Sequence, residues 1–162
     1  MIPVPLRCSC ATIVAAILFG SHANCQSVGS TLPVFVVNQP WVAPTGGKAT
    51  TEAYMDLTSS VAVTLVAAHS DAAARVTLRK PTGARLASGE LALPPNVMVR
   101  LAPGAHRLLL SGVTRRLKLG DRVALTLTIR DATGTRQDIP VDAEVRLHSP
   151  LDDELRAHRH TH

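Results

Sequence analysis

Arg122-Val123-Ala124-Leu125-Thr126-Leu127-Thr128-Ile129-Arg130 alternates strictly: Val123, Leu125, Leu127 and Ile129 are apolar, and the residues between them are polar or small. A repeat of two is that of an extended strand, whose successive side chains point to opposite faces. The stretch therefore predicts a strand with one buried face. Gln137 to Leu147 repeats the pattern, with Ile139, Val141, Ala143, Val145 and Leu147 inward and Asp138, Asp142, Glu144 and Arg146 outward. Earlier in the chain, Val61, Val63 and Leu65, then Val97, Val99 and Leu101, read the same way. Turn-forming residues punctuate these runs: Thr45-Gly46-Gly47, Pro81-Thr82-Gly83, Pro94-Pro95-Asn96, Pro103-Gly104, Leu119-Gly120-Asp121 and Thr133-Gly134. Ala72-Ala73-Ala74 is too short to count as more than a turn, and there is no internal repeat. Short strands at this spacing, without amphipathic helices between them, predict an all-β fold, an antiparallel β-sandwich or barrel.

The two ends of the chain differ from this body. Met1 to Arg7 carries one positive charge, Cys8 to Gly20 is an uncharged apolar run, and Ser21-His22-Ala23 offers small residues where a signal peptidase reads. The run is shorter than the roughly 20 residues a membrane-spanning helix needs. Residues 1–23 are thus expected to be a cleaved signal peptide, the product being periplasmic with no membrane insertion afterwards. A lipid-attachment reading at Cys25 is disfavoured by Asn24 directly before it. Cleavage also removes Cys8 and Cys10, leaves Cys25 without an internal partner, and makes packing alone responsible for the fold. Residues 24–32 read as a disordered start, 33–148 as the β domain, and 149–162 as a polar, His-rich flexible tail beginning at Ser149-Pro150.

Composition narrows the function. Lys and Arg number 17 against 12 Asp and Glu, a net charge of +5, yet aromatic residues make up only 2%. The charges are scattered along strands rather than interleaved with stacking rings, so nucleic-acid binding is excluded. Neither a G-x-S-x-G elbow nor an H-E-x-x-H motif is present, and no cysteine in the folded part pairs with a base, so the chain is not read as an enzyme.

Three runs, in order, carry a family resemblance. Gln39-Pro40-Trp41-Val42 with Ala53-Tyr54-Met55-Asp56-Leu57-Thr58 opens the set, and Leu93-Pro94-Pro95-Asn96 with Leu101-Ala102-Pro103-Gly104-Ala105-His106 continues it. Leu117-Lys118-Leu119-Gly120-Asp121-Arg122-Val123 with Leu125-Thr126-Leu127-Thr128 completes it. Together they resemble the periplasmic copper chaperones of the PCu(A)C family. That resemblance implies a cupredoxin-like sandwich or barrel. It also implies a role in holding copper outside the cytoplasm and delivering it to respiratory oxidase assembly, with cytochrome oxidase assembly factors as partners. The family binds Cu(I) with a histidine, a methionine and a later His-x-Met pair. Carried onto this chain, His106 matches the second histidine. Leu108 stands where the last methionine belongs, Arg79 where the first histidine belongs, and Arg85 where the first methionine belongs. Leucine has no donor atom and arginine stays protonated, so the family's Cu(I) site is not expected intact. Met98 and His69 are additional candidate ligands, and Met55 is more readily a core residue.

The tail offers another chemistry. His158-x-His160-x-His162 puts three imidazoles at alternate positions, with His148 upstream. Neutral imidazoles suit Cu(II), Ni(II) and Zn(II). The leading expectation is a copper-binding protein using His106, His148, His158, His160 and His162, with Cu(II) ahead of Cu(I). The competing reading is a metal-free adaptor on the same scaffold, whose Arg79/Arg85 region meets a protein or anionic partner.

Overall fold

A computed structural model describes residues 34–152. The chain divides into Met1–Thr31 and Leu32–His162, and the described residues belong to the second unit. The alternating stretches become strands there. Nine are present among the described residues: β1 Phe35–Val42, β2 Thr50–Ser59, β3 Val63–His69, β4 Ala73–Arg79, β5 Leu91–Leu93, β6 Val99–Leu101, β7 Arg107–Val113, β8 Arg122–Asp131 and β9 Arg136–Val145. They form one sheet in the order β4-β7-β2-β1-β9-β8-β3-β5, with β6 added on β2. The sheet curls into a nearly closed barrel, the cupredoxin-like form. All pairings are antiparallel except β1 with β9, where Trp41 and Val42 run parallel to Glu144 and Val145. No helix among the described residues is long and apolar enough to cross a membrane.

Burial follows the alternation inside strands. Val123, Leu125, Leu127 and Ile129 of β8 are all buried, as are Val141, Ala143 and Val145 of β9. They meet Met55, Leu57, Leu65, Leu101, Leu108 and Leu110 in one apolar core. Three expected inward residues instead face solvent: Val61, Val97 and Leu147. Each lies just outside its strand, since β3 begins at Val63, β6 at Val99, and β9 ends at Val145. The two-residue rule holds only where a ladder fixes the backbone. The alanine stretch is also more than a turn, because Ala73 opens β4. Alanine gives no polar contrast, so periodicity alone leaves it unread.

Two irregularities interrupt this regular pattern. In β1 the register with β2 shifts between Asn38 and Trp41, and Gln39 takes φ +49° just before Pro40. Past β9, Ser149-Pro150 starts a helical turn over residues 150–152, with the Asp152 amide donating to the Ser149 carbonyl at 3.0 Å. Proline is well suited to the first turn, where its missing N–H is not needed.

Candidate metal centre

His106 is held by a tight loop. The Ala105 amide donates to the Ala102 carbonyl, and the Ala102 amide to the His106 carbonyl, each at 2.9 Å. Gly104, at φ +80°, supplies the left-handed residue the loop requires. The loop is closed by a bridge between Leu101 and His106, and β7 starts at the next residue. His106 directly precedes β7, whose Leu108 and Leu110 are fully buried, and is itself half-buried.

The other carried-over positions separate. Leu108 lies opposite Leu78 of β4 and Ala53 of β2. Arg79 lies opposite Arg107, and directly opposed residues share a face. Arg79 therefore belongs to the face turned away from Leu108. Arg85 reaches β4 from its other edge, in a bridge to Arg79. Leu108 and Arg85 line a cleft of about 190 Å³ whose remaining wall is mostly apolar, from Leu65 to Ala68 on β3 and Val76 and Leu78 on β4. That cleft contains no thioether, imidazole or carboxylate. The residues present do not fit a Cu(I) centre of the PCu(A)C kind.

Elsewhere the candidate ligands are spread out. His69 is exposed, its Nε2 3.2 Å from Asp71 Oδ1. Met98 and His148 are exposed, Met98 just before β6 and His148 past the end of β9. Met55 is buried opposite Leu101, a core side chain. His158, His160 and His162 lie outside the described residues. Among the described residues no three His, Cys, Asp or Glu side chains form a group able to hold a metal ion.

One arrangement does connect the tail to His106. Leu151 and Asp152 line a cleft of about 180 Å³ together with Leu101, Ala102 and Pro103. Leu101 is the bridge partner of His106, so the last described residues of the chain lie against the loop that carries it. Arg100 and Asp56 share this cleft and form a bidentate pair at 2.9 and 3.0 Å. The hydrogen bond and charge of Asp56, and more weakly the charge of Asp152, raise the Arg100 pKa. Asp56 is largely buried, and its guanidinium partner supplies the hydrogen bonds a buried carboxylate needs.

Sequence reasoning missed a polar network on the outer face. Glu52 accepts from Arg107 Nε at 2.7 Å and from the Tyr54 hydroxyl at 2.5 Å. Tyr54 also packs against Trp41, ring centroids 4.4 Å apart. Burial first, then the bond to Glu52, pushes the Tyr54 phenol well above its ordinary range. Glu52 and Tyr54 at alternate positions was the available signal, since alternate residues share a face.

Comparison with known proteins fits this geometry. The family described as "Putative lipoprotein LpqE-like" matches residues 35–141. A protein of Leifsonia xyli subsp. xyli (strain CTCB07), named "Putative lipoprotein Lxx21020", is 30% identical over 81% of this chain and 87% of its own. Among solved structures, the copper-bound PCuAC domain from PmoF2 covers 70% of this chain and 93% of its own, at 23% identity and TM-score 0.60. The solution structure of CuI-DR1885 from Deinococcus radiodurans covers 78% and 84%, at 25% identity and TM-score 0.53. The resemblance read from the three sequence runs therefore holds for the fold. Its fold is that of the PCuAC domains, and the chain itself belongs to the LpqE-like family.

Proposed function

We propose that this protein is an exported copper carrier that takes Cu(II) on its C-terminal histidines together with His106. It would release the ion toward the assembly of a respiratory oxidase. The observation that carries the reading is the position of the last described residues: Leu151 and Asp152 share a cleft with the loop that ends at His106. His158 follows Asp152 by six residues, a reach of at most about 20 Å, which lets the tail fold back toward the loop of His106. The names of similar structures support copper as the cargo, since one is a copper-bound PCuAC domain and another holds Cu(I). The missing thioethers favour the harder ion, because imidazole alone suits Cu(II) better than it suits Cu(I). The names of the family and of its relative support export.

The test is a competitive titration with Cu(II) and with Cu(I), using the whole mature protein and a form ending at Asp152, which keeps the helical turn and the Asp152–Arg100 interaction. The whole protein is expected to bind one Cu(II) at least tenfold more tightly than the shortened form. His106→Ala is expected to weaken binding by less than the truncation does. Equal Cu(II) affinity with and without residues 153–162 would overturn the reading.

A further inference from the structure

We propose that the outer face of β4 and β7 is a binding site for a phosphoryl oxyanion, made by Arg75, Arg79 and Arg85 around Thr77. It uses none of the residues assigned to copper, so the two readings stand or fall separately.

The case begins with charge. Six other arginines, among them Arg100, Arg107 and Arg130, each hold a carboxylate oxygen within 2.9 Å. Arg75, Arg79 and Arg85 have no such partner among the described residues, yet all three line one open groove of about 360 Å³. No acidic side chain lines that groove. The nearest acid on this face by register, Glu52, is already engaged by Arg107 and Tyr54. Three cations gathered without a counter-charge repel one another, and an anion among them removes the repulsion.

Register supplies the geometry. Arg75, Thr77 and Arg79 alternate along β4 and so share its outer face. Arg75 and Arg79 stand about 6.6 Å along the strand on either side of Thr77, a separation their long side chains can bridge. Arg85 joins from the far edge of β4 as the bridge partner of Arg79. Ser111, opposite Arg75, adds a second hydroxyl, and Gly112 leaves the wall beside it without a side chain.

Two atoms at the floor carry unmet hydrogen-bonding capacity. Thr77 Oγ1 and Arg79 Nε are buried and have no hydrogen-bond partner among the described residues. Buried polar atoms are nearly always paired in folded proteins, and a ligand that draws on these two side chains supplies what is missing. The chemistry favours a phosphoryl group over a carboxylate. One guanidinium satisfies a carboxylate in its own plane, whereas three guanidiniums and two hydroxyls from different directions match a tetrahedral anion with several acceptor oxygens.

The experiment is calorimetric titration of the full chain with inorganic phosphate, and flotation with phosphatidylcholine vesicles with and without phosphatidic acid. Wild type is expected to bind phosphate saturably, Arg79→Gln/Arg85→Gln at least tenfold more weakly, and Arg136→Gln (an arginine on β9 without a carboxylate partner among the described residues) as wild type. Arg85→Gln alone changes only an exposed side chain, keeps the fold, and is expected to weaken phosphate several-fold. Vesicle binding lost in the same variants identifies a lipid headgroup as the source; phosphate binding without vesicle binding identifies a soluble phosphate. Equal affinity in Arg79→Gln/Arg85→Gln and Arg136→Gln, or no saturation, overturns the site. An oligoglutamate peptide that binds more tightly than phosphate through the same arginines overturns the ligand class.

Discussion

At Tyr54 burial and a hydrogen bond act in the same direction. Both favour the neutral phenol, so the folded protein keeps this proton well past the pH, about 10, at which an unfolded chain loses it. The folded state then binds more protons than the unfolded state in that range, and stability falls as pH rises. The contribution is fully present below about pH 10 and is lost above it. Tyr54→Phe removes the titrating group and one hydrogen bond to Glu52, whose other oxygen keeps Arg107. Urea unfolding from pH 7 to pH 11 should show a loss of about 1 kcal/mol at neutral pH, with a flatter decline above pH 10. Identical alkaline slopes in the two proteins would show that Tyr54 does not drive the decline. Residues of this kind were only half legible in the sequence. Alternation announces that Glu52 and Tyr54 share a face, but not that Arg107, from a strand far along the chain, completes the set. His106 was legible because a Pro-Gly turn fixes its position locally. Arg79 was not, since only the pairing with Arg107 reveals which face it belongs to.

Strands with strong polar contrast were readable at the level of elements: β8 buries every residue its alternation names, and β9 buries Val141, Ala143 and Val145 and half-buries Ile139. Strand ends were not, as Val61, Val97 and Leu147 show, because a ladder stops where its partner stops. The β4–β7 pair adds a constraint that no pattern signals. Gly112 has φ +66°, and a Cβ there would come within 2.9 Å of the Ala74 Cβ on the facing strand. A larger residue therefore meets two separate costs, one from the backbone and one from the contact. Gly112→Ala should lower stability by about 1–3 kcal/mol, read as a drop of several degrees in thermal unfolding. Ala74→Gly in that background relieves the contact and leaves the dihedral cost, so it should recover part of the loss. A variant Gly112→Ala that melts with wild type would mean that β7 shifts freely against β4.

For the whole molecule, the curled sheet explains why the proposed copper site was harder to read than the fold. A strand advertises its buried face over a few residues, whereas Leu151 and Asp152 come to the loop before His106 only through the cleft they share with Leu101, Ala102 and Pro103. The start of the chain poses a question of the same scale. The names of the family and of its Leifsonia relative describe lipoproteins, and Cys25 is the residue a lipid would occupy after a signal peptide. The residues before it, His22-Ala23-Asn24, lack the small side chain expected directly ahead of an acylated cysteine, while Ser21-His22-Ala23 suits cleavage after Ala23. Mass spectrometry of the exported protein should therefore give a chain beginning at Asn24, with Cys25 carrying no lipid and the protein released without detergent. A diacylated Cys25 at the mature N-terminus would instead tether the carrier to a membrane. The arginine groove of β4 would then work beside a surface rich in phosphoryl headgroups, and the vesicle titration would become the decisive arm of that test.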